Sequence, residues 1–409
     1  TRGRSPPRTV TASEVPASRV MYAADVSIAA ADLETELADL REQERAMTVL
    51  AARTSTAELG SQVYPNWKDC WYFQIISDHV EACLRYVRGQ PGGLRRLLLS
   101  VPYQHGKSTI IEMFVARALG IDPSLRIVNA TYNVDFARER IDNVQRWMSH
   151  ANYQAAFDTR FGAAASVDDD TPARTKKTQS DKLRNSANMF QVRRVRNGRT
   201  ENLGGSFLST SLGSGLNGRP YEIGIIDDPY KDEEVAASPA ERQHIEERYD
   251  AIFESREQQN SVQILVFTRM NENDLMGYAL PRWQKAGIPH AVLRFPAILD
   301  EVPASYDPRQ QGQGLSEALY PGGPEIKSHD WYLSKKALVQ PWTWETSWQQ
   351  RPTTRTGDFF QSAWWGEYDP AELREVDRYW VSIDCAAKAA GASWTCADLW
   401  AARGPQAFK

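Results

Sequence analysis

LRRLLLSVPYQHGKSTIIEMFVARAL, residues 94–119, is the stretch whose reading decides the fold. The apolar run 97–101 predicts a buried strand, closed by Pro102. Gly106-Lys107-Ser108-Thr109 follows, and then Ile110, Ile111, Phe114, Val115 and Leu119 recur along one helix face. Strand, tight loop, Gly-Lys-Ser/Thr and helix is the order that a phosphate-binding loop requires. Backbone N–H groups of such a loop, here Gln104 to Thr109 and including His105, cradle polyphosphate at the helix N-terminus. Lys107 brings a point charge to the β- and γ-phosphates, and the Ser108 hydroxyl is a Mg²⁺ ligand. The usual pattern has a glycine five residues before Gly106, where this chain has Val101. The loop alone therefore leaves a plain turn before a helix as the competing reading.

The rest of the chain bounds the choice. Its 409 residues suffice for two or three domains. Hydrophobic content of 42% and charged content of 24% are those of a globular protein, and no apolar run reaches the length of a bilayer span. TRGRSPPRTV at the start has no signal-peptide core. Cys70, Cys83, Cys385 and Cys396 lack metal-ligand spacing and read as reduced thiols of an intracellular protein. A net charge of −4 argues against a nucleic-acid coat but permits a local basic track.

Residues 1–24 are rich in Pro, Ser and Arg and are expected to be flexible. A long helix is expected over 25–53, with the stripe Ile28, Leu33, Leu37, Leu40, Met47 and Leu50 packing against the next domain rather than forming a coiled-coil interface. A second helix spans 71–87. The aromatic segment leading into it offers Trp67 as a stacking face and Gln74 as a hydrogen-bonding group for an adenine base, or simply core aromatics and an exposed Gln. Residues 126–131 read as a further parallel strand and 133–148 as its helix, the alternation of a parallel α/β sheet. Residues 162–181 read as a surface loop. Between 182 and 199 there is no acidic residue, and Lys182, Arg184, Arg193, Arg194, Arg196 and Arg199 make a basic run around an edge strand at 189–195. That run is either a solvated edge or a DNA contact.

YEIGIIDDPYK, residues 221–231, resolves the question posed by the loop. A buried strand there ends in Asp227 and Asp228. One strand-end carboxylate holds the Mg²⁺ that bridges the β- and γ-phosphates, and a second orients the attacking water. Asp227 suits the first role and Asp228 the second. The strand 262–267 ends in Thr268-Arg269, polar groups at the crevice end of a sheet. They either sense the γ-phosphate, or Arg269 pairs structurally with Asp274.

Segments spread over 64–409 resemble, in order, the large terminase subunit of tailed bacteriophages: VPYQHGKST, ATYNVDFARERIDNVQRWM, GSGLNGRPYEIGIIDDPYKDEEVAAS, ILVFTRMNENDLMGYAL, RFPAIL, WQQRPTTRTGDFF and VSIDCAAKAAGASW. The resemblance implies an α/β P-loop NTPase of the ASCE type, a mainly parallel sheet flanked by helices, using ATP and Mg²⁺ to drive double-stranded DNA into a procapsid. It implies a ring of like subunits on the portal protein, a small terminase subunit as partner, and the host cytoplasm as location, with transient docking on the procapsid and no membrane. Lys107 and Ser108 match the Walker A ligands, Asp227 the Walker B acid, Asp228 the catalytic carboxylate, and Thr268-Arg269 the coupling motif. The family often carries an arginine where this chain has Gln104. Arg138 and Arg140 are then candidates to supply that charge from a neighbouring subunit, or else a charged helix face. The resemblance also implies an RNase H-like nuclease using two Mg²⁺ or Mn²⁺, with Asp384 as its first ligand; with one such acid the chain is not expected to cut DNA. The expected division is a tail and helix over 1–60, the ATPase over 61–350, a linker over 351–377 and the start of the nuclease over 378–409.

Overall fold

Strands that are apolar at every position, rather than at alternate ones, must be covered on both faces, and this rule organises the structure. The computed structural model describes residues 17–162, 185–212, 219–317, 326–352, 378–384, 396–403 and 406–408. They fall in two units, 1–354 and 355–409.

In the first unit three helices, α1 (Ala17–Thr54), α2 (Thr56–Val63) and α3 (Trp71–Val87), precede β1 (Arg96–Ser100) and α4 (Lys107–Ile121). Then come β2 (Arg126–Thr131), α5 (Val134–Ser149), α6 (Ala151–Ala156) and β3 (Thr159–Phe161). The short strands β4 (Asn185–Ser186), β5 (Met189–Arg196) and β6 (Arg199–Glu201) lead to β7 (Ser206–Ser211) and β8 (Tyr221–Asp227). Last are α7 (Glu233–Ala237), α8 (Pro239–Ile252), β9 (Glu257–Val266), α9 (Leu275–Lys285), β10 (His290–Arg294) and α10 (His329–Leu338). The helix starts follow local chemistry. Asn133, Ser238 and Asp274 each accept a backbone N–H from the first turn of the helix they cap, α5, α8 and α9, and Pro239 opens α8.

The sheet runs β10-β1-β9-β8-β2-β7-β5-β3, with β4 and β6 on β5. Neighbours from β10 to β7 are parallel, and the β5 end is antiparallel. One strand, β9, separates the loop-bearing β1 from the acid-bearing β8. Side chains alternate between two cores: Leu97, Leu99, Ile127, Ile223, Ile225, Val262 and Ile264 face the helices α2 to α6, while Leu98, Val128, Ile226, Leu265 and Phe267 face α8 and α9. This double burial accounts for the unbroken apolar runs, and the whole arrangement is a mixed α/β fold with a mostly parallel sheet.

Two expectations change. The first helix starts at Ala17, not at 25. The described part of its stripe does not pack on the domain either: Leu37 is 42% exposed, Leu40 54%, Met47 72% and Leu50 68%. Among the described side chains, Val49 and the fully buried Ala52 join the core. Those two residues lie one turn apart on a different helix face from Met47 and Leu50. No described helix is long and apolar enough to cross a membrane. Residues 1–16, the loop after Gly162 and nearly all of the expected linker lie outside the described residues.

In the second unit β11 (Arg378–Asp384), β12 (Cys396–Arg403) and β13 (Gln406–Phe408) form an antiparallel sheet. Trp380 stacks on Trp400 with centroids 6.1 Å apart. Asp384 is the last residue of β11, opposite Cys396 in register.

Candidate active site

The loop leaves β1 at Val101, which is fully buried. Among the described non-glycine residues the left-handed backbone occurs at Gln104 (φ 60°), Asn197, Asp228 and Gln350. Val101 is not one of these, so nothing in the backbone demands a glycine there. The sharp turn falls instead at Gln104 and at Gly106 (φ 72°), which precedes the first helical residue, Lys107. A Cβ on Gly106 would stand 2.6 Å from Phe73 Cζ, so that position needs glycine for space as well as for its dihedral.

Consecutive residues of the helix start face consecutive acids of β8. Lys107 Nζ lies 2.9 Å from Asp228 Oδ2, and Ser108 Oγ donates to Asp227 Oδ1 at 3.1 Å. Parallel strands with crossover helices put these termini at one sheet edge. Asp228 has a left-handed backbone (φ 48°). It is held by its N–H to the Val266 carbonyl at 3.2 Å, and its own carbonyl accepts from Tyr132 N–H at 3.1 Å. Such strain persists only where the surroundings over-determine it. Burial raises the Asp228 carboxyl pKa; the Lys107 charge opposes the shift and the Asp227 charge adds to it. Its Oδ1 is buried without a hydrogen-bond partner.

The second oxygen of Asp227 is also engaged. Arg140 Nε donates to Asp227 Oδ2 at 2.9 Å, and Arg140 Nη1 donates to Glu112 Oε1 at 2.9 Å. Asn143 completes Glu112 at 3.1 Å. Burial pushes Glu112 up to about 7, although Arg140 pulls the other way. Arg140 is held within its own chain: its side chain is 13% exposed and bridges two interior acids. Arg138, two residues away, is exposed and paired with Asp135 at 3.5 Å. A charged helix face describes Arg138 well.

Thr268 is fully buried, and its hydroxyl donates to the Val101 carbonyl at 2.9 Å, joining β9 to the start of the loop. Arg269 Nε meets Asp274 Oδ2 at 2.8 Å, and its backbone N–H donates to Gln350 Oε1 at 3.0 Å. Of the two readings of Arg269, the structural pair with Asp274 is the one formed.

Beside the loop lies a cavity of about 180 Å³, lined by Tyr64, Trp67, Phe73, Gly106, Thr109 and Lys327 among others, including Gln104 and His105. Trp67 is thus on the wall. Gln74 is not: its amide donates to Asp69 at 2.9 Å, and the adenine-reading alternative loses its hydrogen-bonding group. His105 turns away from the helix start. Its Nδ1 lies 2.7 Å from the Tyr103 carbonyl and its Nε2 2.8 Å from the Tyr332 hydroxyl. Nδ1–H donating and Nε2 accepting satisfies both contacts. Burial, helped by the Lys327 charge, pushes its pKa down to about 3, so the ring is neutral.

The donor set fits a Mg²⁺ nucleotide. A hydroxyl and two carboxylates are hard oxygen ligands, and no group of three or more His, Cys, Asp or Glu among the described residues gathers for a metal. A cation held here would take its other ligands from phosphate and water, as Mg²⁺ does in phosphoryl-transfer sites.

The basic run is elsewhere. The β5–β6 hairpin turns at Asn197-Gly198, both left-handed, and carries Arg193, Arg194, Arg196 and Arg199. A shallow depression there is lined by Arg194, Arg196, Arg199 and Glu201. Arg194 lies 3.7 Å from Glu201, a neutralising contact supplied by the partner strand. β5 is five strands from β1 in the sheet order, roughly 24 Å at the usual spacing between strands. Lys182, Arg184 and residues 213–218 lie outside the described residues.

Glu112, Asn143 and Lys327 were missed from sequence. The one signal for Glu112 was an acid inside the apolar run IIEMF; Lys327 follows β10 at long range and had none.

The sequence matches no family model and no curated protein. Among solved structures, the chain is similar to the large terminase of bacteriophage HK97 at 15% identity and TM-score 0.34, over 53% of this chain and 39% of that one. It is similar to the large terminase ATPase domain of Thermus phage P74-26 at 13% identity and TM-score 0.35, over 65% and 92%. It is similar to the large terminase of another thermophilic bacteriophage, in complex with ADP, at 12% identity and TM-score 0.37, over 80% and 66%. All three are bacteriophage large terminases. The chain spans less than two thirds of the HK97 protein and of the ADP-bound one.

Proposed function

We propose that this chain is the ATP-hydrolysing motor of a phage DNA-packaging terminase. The observation that carries the reading is the double pairing of Lys107 with Asp228 and Ser108 with Asp227 across the end of a parallel sheet. Both pairs are poised to open. When a triphosphate enters, Lys107 exchanges the Asp228 carboxylate for the β- and γ-phosphates. Asp228 then loses the charge that opposes its raised pKa, and becomes a stronger acceptor for the proton of an attacking water. Ser108 and Asp227 would hold a Mg²⁺, which would offset charge on the transferring phosphoryl group. Arg140 fixes Asp227 from behind. Any shift of the loop is felt at β9 through the Thr268 bond to Val101 and passes to Arg269 and α9.

The partners in this reading are double-stranded DNA, gripped by the β5–β6 hairpin, and the portal, procapsid and small terminase subunit. Neighbouring subunits of a ring would supply the stimulatory arginine, with Arg138 the exposed candidate. In the second unit Asp384 would be a ligand of a two-metal nuclease.

Displacement of a triplex-forming strand from duplex DNA tests the motor. ATP-dependent displacement without strand separation is expected. Unwinding of the duplex would indicate a helicase-like translocase, and neither activity, with no ATP turnover, would indicate a silent assembly scaffold.

A further inference from the structure

Among the described residues, Lys327 stands at the nucleotide loop without an acid to neutralise it. Its Nζ donates to the Gln104 carbonyl at 2.7 Å and lies 3.5 Å from His105 Nε2. It also lies 4.7 Å from the centre of the Trp331 ring. It lines the cavity that runs from Trp67 to Gly106 and Thr109. Among the described residues no carboxylate pairs with it, and its neighbours are a neutral imidazole, a carbonyl and an aromatic face. A cation held half-buried in this way is short of an anion. The cavity beside it is lined by Gln104, His105, Gly106 and Thr109 of the loop, which starts the helix where an anion would bind.

We propose that Lys327 is a nucleotide-binding residue that brings a positive charge, from within the same chain, to the phosphates of a nucleoside di- or triphosphate, in the place a loop arginine would fill. The proposal rests on the nucleotide-binding reading above and deepens it. Gln104 cannot provide this charge, but its left-handed backbone turns its carbonyl onto the Lys327 ammonium. The position of the glutamine thus fixes the position of the lysine.

Burial brings the Lys327 ammonium down to about 8; the Lys335 charge pushes the same way and Cys70 opposes it. The groups around it are His105 of the loop, Lys68, Cys70 and Tyr72 at the approach to α3, and Tyr332 and Lys335 of α10. Burial puts Cys70 up at about 11, Tyr332 up at about 12 and Tyr72 well up, and His105 down at about 3. None of those four changes charge between about pH 7 and 9, so a loss of phosphate affinity in that window reports Lys327.

Equilibrium binding of fluorescent ADP to the full chain, with Lys327→Gln, Lys327→Arg and Lys107→Ala, tests this. The expected result for Lys327→Gln is about a tenfold or greater loss of affinity and a shallower dependence on salt. Lys327→Arg keeps the affinity and abolishes the fall that the wild type shows above about pH 8. A Lys327→Gln variant that binds ADP within about twofold of wild type overturns the proposal, as does a loss with unchanged salt and pH dependence, which would make the lysine a prop for Gln104. If the wild type binds no ADP, the nucleotide reading itself falls, and this proposal with it.

Discussion

Replacing Arg140 by Met removes the one cation between Asp227 and Glu112. Both acids are almost fully buried, and the guanidinium reaches each at 2.9 Å. Breaking a buried pair by deleting one partner costs about 3–5 kcal/mol, because the remaining charge has no solvent to return to. The cost has a pH signature set by Glu112. Its folded pKa is raised, to about 7, so it contributes stability that is fully present below its unfolded value and is lost as pH rises through about 7. Without Arg140 the folded pKa climbs further, and the loss continues beyond the point where the wild type levels off. The deficit of the variant is then constant below about pH 7 and grows by about 1.4 kcal/mol for each pH unit above it. Urea denaturation followed by tryptophan fluorescence at about pH 6, 7 and 8 reads this directly, and adding Glu112→Gln to the variant should abolish the growth. A pH-independent deficit under about 1 kcal/mol would refute the bridging role. So would recovery of ATP turnover on mixing Arg140→Met chains with turnover-dead chains that retain Arg140, which would mean that the arginine acts between subunits.

Other perturbations bear on the same frame. Gly106→Ala must adopt a left-handed backbone and meets Phe73 Cζ at 2.6 Å; a loss of about 1–3 kcal/mol in thermal or urea unfolding is expected, with weakened nucleotide binding. His105 has its pKa lowered to about 3, so its stabilising contribution is present above its ordinary value near 6.5 and is lost as pH falls below it. The wild type should lose about 1.4 kcal/mol for each pH unit in that range relative to His105→Gln, measured by denaturation at about pH 7 and 5. Charge reversal at Arg196 and Arg199 should reduce the slope of log affinity for duplex DNA against log salt by about 2; an unchanged slope removes the hairpin from the DNA path.

Strands β1, β2, β8 and β9 were legible because each carries an apolar run and is followed by a helix, a pattern that parallel packing imposes, whereas β7, SFLSTS, has too short an apolar run to stand out. The acids at 227 and 228 were legible because the end of a strand is visible in sequence and strand ends converge at one edge. The buried pairing of Arg140 was not legible because sequence shows the helix face but not the depth to which it sinks; Glu112, the interior acid beside it, is 28 residues away. The stripe Leu37, Leu40, Met47 and Leu50 was misread for the opposite reason, since periodicity shows that a face is apolar but not that anything covers it. Val101 looked like a defect only under the assumption that the turn begins there, and the turn sits at Gln104 and Gly106 instead. Lys327 was invisible because the sequence separates it from its partner carbonyl by 223 residues.

Steady-state ATP turnover by the full chain with Mg²⁺ and duplex DNA, compared with Asp228→Asn and Lys107→Ala, tests the central claim most directly. Asp228→Asn keeps the size of the side chain but removes the acceptor for the proton of water. The expected outcome is turnover reduced about a hundredfold or more with nucleotide binding retained, while Lys107→Ala loses binding as well. Wild-type turnover no higher than that of either variant would contradict the account.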